Sequence, residues 1–256
     1  MNRIVGGAVL ALLSAAHAAG MAQSCSKASP AHTVALLELY TSEGCDSCPP
    51  ADKFVSSLYQ SSGLSAEQVV PISLHVDYWD YIGWKDVFAK PLFTQRQRWL
   101  AELASSRSVY TPEVFVAGRE LRNWHGGLAA AVKRINDTPA QAEIRLTLDK
   151  AADNTLRLDL ASKSTQPGKL YFALVESALL SEVKAGENRG VSLQHDYVAR
   201  EWGEPIILGR NHSENFSRQL SLPANAAARK LAVTAFVQSD RGEVLQVVSL
   251  PLCTSK

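Results

Sequence analysis

The hydrophobic pattern of this 256-residue chain changes period once, at the turn-rich segment Asn136-Asp137-Thr138-Pro139. Before that point, short apolar runs alternate with amphipathic stretches. Residues 33–40 (TVALLELY) and 69–76 (VVPISLHV) read as strands buried on both faces. Helical spacing follows each, over 51–60 and from about 91 to 105. Residues 113–117 (EVFVA) read as a third strand and 120–122 as a short fourth. A helix over 127–135 places Leu128, Ala131, Val132 and Ile135 on one side. Beyond Pro139 alternation takes over, first at Ile144, Leu146 and Leu148, then at Leu156, Leu158 and Leu160. Apolar runs over 170–175, 216–222, 231–237 and 244–250 continue it, joined by Gly, Asn and Pro turns. The pattern predicts an α/β domain over 31–137 and an all-β, antiparallel sandwich-like domain over 141–253.

The first 22 residues read as a secretory signal peptide. Arg3 supplies the positive start, residues 4–16 (IVGGAVLALLSAA) the apolar stretch, and small residues the cleavage site, placed here after Ala22. That stretch is too short for a mature anchor, so no membrane span is expected, and the location is periplasmic or secreted. With 26 basic and 25 acidic residues there is no field to hold nucleic acid. Hydrophobic content of 46% and charged content of 20% exclude a disordered chain and a disulfide-dense miniprotein. Cys25 would carry a lipid in a lipoprotein, but Ala22-Gln23-Ser24 before it lacks the usual Leu and small-residue pattern.

Export exposes the four cysteines to oxidising conditions. Proximity pairs Cys45 with Cys48, which leaves Cys25 and Cys253, at the two ends of the mature chain, as a structural disulfide. Cys45-Asp46-Ser47-Cys48 lies between a buried strand and a helix start. Thiol exchange needs an accessible attacking thiolate and a second thiol that resolves the mixed disulfide. A helix start lowers the pKa of the first cysteine, so Cys45 is expected to be exposed and to attack, with Cys48 buried about one turn inside. Asp46, Glu43 and Asp52 oppose that effect. Thr111-Pro112 directly precedes the third strand and is the place for a cis bond beside the cysteines.

The element order, the C-x-x-C and the Thr-Pro together resemble thioredoxin-fold proteins, and Gly126-Gly127 before the last helix resembles the glutaredoxin branch. Residues 37–52 (LELYTSEGCDSCPPAD), 75–84 (HVDYWDYIGW), 110–118 (YTPEVFVAG) and 186–190 (GENRG) are similar to a bacterial secreted, thioredoxin-like family catalogued as domain of unknown function 1223. The resemblance implies a thioredoxin-like fold and export, and no established activity. The expected function is exported thiol–disulfide exchange on protein or small-molecule thiols and disulfides, without a cofactor. Cys45, Cys48 and Pro112 would be catalytic, with Thr111, His75 and Trp79 lining the substrate groove. One alternative is a copper or zinc metallochaperone that adds His75, His125 or His195 to the two cysteines. Another is a non-catalytic interaction module with a structural disulfide. Residues 187–190 either reach across to the first domain or form a tight inter-strand turn.

Overall fold

A computed structural model describes residues 24–150, 154–224 and 226–253; the segment expected to be a signal peptide lies outside them. Strand β1 (Ser24–Ala28) is followed by β2 (Ala35–Thr41), helices α1 (Pro49–Ser56) and α2 (Leu58–Ser61), and β3 (Val69–His75). Helix α3 (Pro91–Leu103), strands β4 (Glu113–Val116) and β5 (Arg119–Glu120), and helix α4 (Trp124–Asn136) come next. Then come β6 (Ala142–Lys150), β7 (Thr155–Ser164), β8 (Gly168–Glu176), β9 (Leu179–Glu182) and β10 (Ser192–His195). Last are β11 (Val198–Trp202), β12 (Ile206–Leu208), β13 (Ser213–Ser221), β14 (Leu231–Gln238) and β15 (Val244–Pro251).

The predicted α/β thioredoxin-like domain followed by an all-β sandwich-like domain is corrected by this topology. The protein is mostly β. A nine-stranded mixed sheet, in the order β15-β14-β8-β11-β3-β2-β4-β5 with β12 also on β8, takes strands from both halves of the chain. The parallel contacts are β2 with β3 and a single β11–β3 pair, Val198 opposite Ser73. The physical reason lies in residues 170–175 and 231–237, which are apolar at successive positions rather than alternate ones. Leu170, Phe172 and Leu174 enter one core, while Ala173 and Val175 enter another on the opposite face with Ala199 and Phe236. Such strands are central, and β11 covers the side of β3 that would otherwise be an open edge. A second, antiparallel sheet, β1-β6-β7-β13, packs its leucines onto the β8/β14 face.

Polar crosslinks reinforce the continuous sheet. Gln246 on β15 accepts from Val34 N at 2.9 Å and donates to the carbonyls of Pro30 and His32. Arg96 on α3 donates to Glu38 on β2 at 2.6 Å and to Gln238 on β14 at 2.8 Å, all buried. Gly118, at φ +81°, lies so close to the β14–β15 turn that a Cβ would fall 1.7 Å from Gly242 O. Cys25 and Cys253 are disulfide-bonded, closing the two ends of the described chain beside the sandwich core.

Candidate functional site

Strand β2 delivers the chain into a tight turn. Cys45 N donates to Ser42 O and Cys48 N to Cys45 O, both at 3.2 Å. Cys48 is the N-cap residue of α1, and Pro49 and Pro50 occupy positions whose N–H groups would lack helical partners. Cys45 and Cys48 form a disulfide with Cα atoms 5.4 Å apart. Asp46 and Ser47 face solvent, whereas both cysteines are 0% exposed. The accessible Cys45 expected from the sequence is therefore absent: both cysteines precede the helix, and tertiary structure covers both.

Two of the three predicted groove residues, Thr111 and Trp79, gather here, together with Pro112. Ser47 Oγ lies 3.4 Å from Cys45 Sγ and donates to Thr111 O at 3.5 Å. Thr111–Pro112 is a cis peptide bond, and Trp79 Nε1 donates to Thr111 Oγ1 at 2.7 Å. Gly44 is bare because a Cβ would meet Trp79 at 3.1 Å and Ile82 at 3.2 Å.

Behind the turn lies a buried charged cluster. His75, at the end of β3, has Nδ1 2.7 Å from Asp86 Oδ2. Asp86 also accepts from the backbone N–H groups of Glu43 and Phe88. Burial pulls the His75 pKa down, but the charge and hydrogen bond of Asp86, with Asp52 and Glu43 nearby, leave it above the ordinary value. Burial raises Asp86, yet His75 and the two backbone donors hold it below the usual carboxylate range. Asp52 on α1 is raised, chiefly by burial, while Thr41 donates to it at 3.2 Å.

His195, at the end of β10, stacks edge-on against His75 with ring centroids 4.8 Å apart. Its Nε2 lies 3.3 Å from Glu43 Oε1, an ion-pair distance without hydrogen-bond alignment. Burial raises Glu43, but His195, Ser181 and Trp84 together bring it below the ordinary value. His125 is elsewhere, stacked on Trp124 at the start of α4. Among the described residues no group of three or more His, Cys, Asp or Glu is arranged to hold a metal ion.

The β9–β10 connection packs on the backbone of the cysteine turn. Asn188 Nδ2 donates to Glu43 O and to Cys45 O, both at 2.9 Å, and Asp46 N donates to Glu187 Oε2 at 3.2 Å. Residues 187–190 thus reach the first half of the chain. Glu43, Asp86, His195 and Asn188 carry most of the polar contacts of the site. Sequence reading took Glu43 as a charge opposing the thiolate, His195 as a possible metal ligand and residues 187–190 as either a reach across or a turn, because nothing local marks a carboxylate as buried.

Among the described residues no helix is long and apolar enough to cross a membrane. A crystal structure of a protein from Agrobacterium tumefaciens is similar over 88% of this chain and 97% of that one, at 23% identity and TM-score 0.60, which shows a shared fold. A domain of the outer membrane lipoprotein Omp28 from Porphyromonas gingivalis overlaps 46% of this chain and 92% of that one, at 15% identity. Its TM-score of 0.30 is too low to carry an argument. No curated protein matches the chain. The family described as protein of unknown function (DUF1223) matches residues 36–238, most of the chain, and the protein belongs to it.

Proposed function

We propose that the chain is an extracytoplasmic thiol–disulfide exchange protein acting through Cys45 and Cys48. The observation that carries this reading is the segregation of one adjacent cysteine pair at the β2–α1 turn. Thr111 and Trp79 pack against that turn, while Cys25 and Cys253 are committed to a bridge between the chain ends. In the reduced protein the Cys45 thiolate attacks one sulfur of a protein or small-molecule disulfide and expels the other as a thiolate; Cys48 then attacks Cys45 Sγ of the mixed disulfide, forming Cys45–Cys48 and releasing the second substrate thiol. Thr111 and Trp79, beside Ser47 and Gly44, would border the substrate with Pro112, and His75 belongs to the charged layer behind the turn. Two disulfides and no free cysteine among the described residues support an oxidising compartment.

The test is a Cys48→Ser variant incubated with glutathione disulfide. The expected result is a stable mixed disulfide on Cys45, read by mass spectrometry of the intact protein. An unmodified protein would refute the reading.

One observation favours a second reading, a purely structural disulfide: neither cysteine is exposed. The reduction potential separates the two, because structural disulfides lie below about −300 mV.

A further inference from the structure

The β8–β11 ladder breaks where it leaves the large sheet. Ala178 and Tyr197, at the two feet of the segment between them, have φ of +56° and +57°, a backbone region that side-chain-bearing residues seldom adopt. Beyond these feet, β9 and β10 pair only with each other, as a two-stranded sheet separate from the other two. An isolated two-stranded hairpin is marginal without packing support. Its apolar anchors are few, Val183 and Leu193 being buried, whereas Leu180 is 72% exposed. A cleft of about 520 Å³, lined by Pro49, Asp52, Lys53 and residues of β10, runs between α1 and the hairpin. The rest of its attachment comes from polar contacts of Asn188, Glu187 and His195 with the cysteine turn, and from the ring of His195 against those of His75 and Phe88.

We propose that the Leu179–His195 hairpin is a gate over the Cys45–Cys48 disulfide, swinging about Ala178 and Tyr197 and latched by Asn188. This rests on the exchange reading and adds its regulation: no reductant or partner reaches either sulfur until the hairpin lifts. The latch is specific. Asn188 satisfies two buried carbonyls with one amide, one of them the carbonyl of Cys45 itself. Lifting the hairpin takes both hydrogen bonds away and exposes the cysteine turn in the same motion. Elements with few apolar contacts and polar anchors open at lower free energy than the sheet core.

The test is the rate at which dithiothreitol reduces Cys45–Cys48 in the intact, folded protein, read by alkylation and peptide mapping. Asn188→Ala removes the latch, and its disulfide is expected to be reduced about tenfold faster than in the unaltered protein. An unchanged rate overturns the gate. Should the variant fail to fold, native-state hydrogen exchange on the unaltered protein decides. The gate requires β9 and β10 amides to exchange through an opening separate from, and easier than, that of β8 and β14. Equal protection in the two sheets overturns it. The two readings fail separately. Accelerated reduction of a pair as hard to reduce as a structural disulfide keeps the gate and removes exchange, whereas an ungated but reversible couple does the opposite.

Discussion

Asn188 and Cys45, 143 positions apart in the chain, are joined by a 2.9 Å hydrogen bond from the Asn188 amide to the Cys45 carbonyl. That bond makes the cysteine turn a joint product of both halves. The first half supplies the strand, the turn and the helix; the second supplies the cover. The same dependence recurs in the packing, where Arg96 on α3 donates to Gln238 on β14.

The Arg96–Glu38 pair is buried, with Arg96 enclosed by the rings of Tyr171, Trp202 and Phe236 at 5.1–5.2 Å. Arg96→Met leaves the Glu38 carboxylate without its cation and is expected to cost about 3–5 kcal/mol in urea unfolding. The double variant with Glu38→Gln should recover part of that loss. Additive losses would show that the pair is not coupled.

His75 and Asp86 set a pH window. A histidine raised by folding stabilises fully below its unfolded pKa, about 6.5, and that contribution fades as pH rises through the higher folded value. A carboxylate lowered by folding contributes above its unfolded pKa, about 3.9, and is lost as pH falls through the lower folded value. The pair therefore stabilises most between about pH 4 and 6.5. Urea midpoints across this range should fall on the alkaline side, and His75→Gln should reduce that slope. An unchanged slope would contradict the assignment.

Glu113, the residue after Pro112, is raised to about 7 by burial, against the opposing hydrogen bond from Gln97. Folding prefers its protonated form, so this contribution is complete below about pH 4.3 and is lost as pH rises to about 7. Glu113→Gln mimics the protonated carboxyl. It should match the unaltered protein near pH 4 and exceed it at pH 8 by on the order of 1–3 kcal/mol in denaturant titrations. A variant less stable at pH 8 would show that the ionised carboxylate is the native form.

The Cys25–Cys253 bridge spans 228 positions. Chain-entropy reasoning assigns a loop of that size about 5 kcal/mol as an upper figure. The Cys25→Ser, Cys253→Ser double variant should unfold at clearly lower urea. Because β1 is held by pairing with β6, the variant should still fold at moderate temperature. Unchanged stability would mean that the ends are held without the bridge.

How much of this was legible follows from where each signal is stored. The β2–turn–α1 unit, β3, α3, β4 and α4 lie close to their predicted ranges, because apolar runs and helical spacing are local properties. The pairing of Cys25 with Cys253 followed from elimination. What was missed is tertiary. Strands β9 to β12 are three to five residues long, too short for periodicity to mark, and β9 to β11 mix polar with apolar side chains. Successive apolar residues in β8 and β14 were read as sandwich strands, although burial on both faces is what joins the halves into one sheet. The burial of Cys45 was invisible for the same reason: Asn188 packs on its carbonyl, and the sequence around Asn188 fits a turn as well as a reach across to the first half.

The most direct test of the central claim is the reduction potential of Cys45–Cys48, measured in thiol–disulfide buffers on the full protein with Cys25–Cys253 intact. Peptide mapping reports which pair is reduced at each potential. The exchange account predicts a reversible two-electron couple between about −270 and −120 mV, the span of catalytic dithiols. A potential below about −300 mV, or reduction only on unfolding, would contradict it and leave the pair as a structural staple.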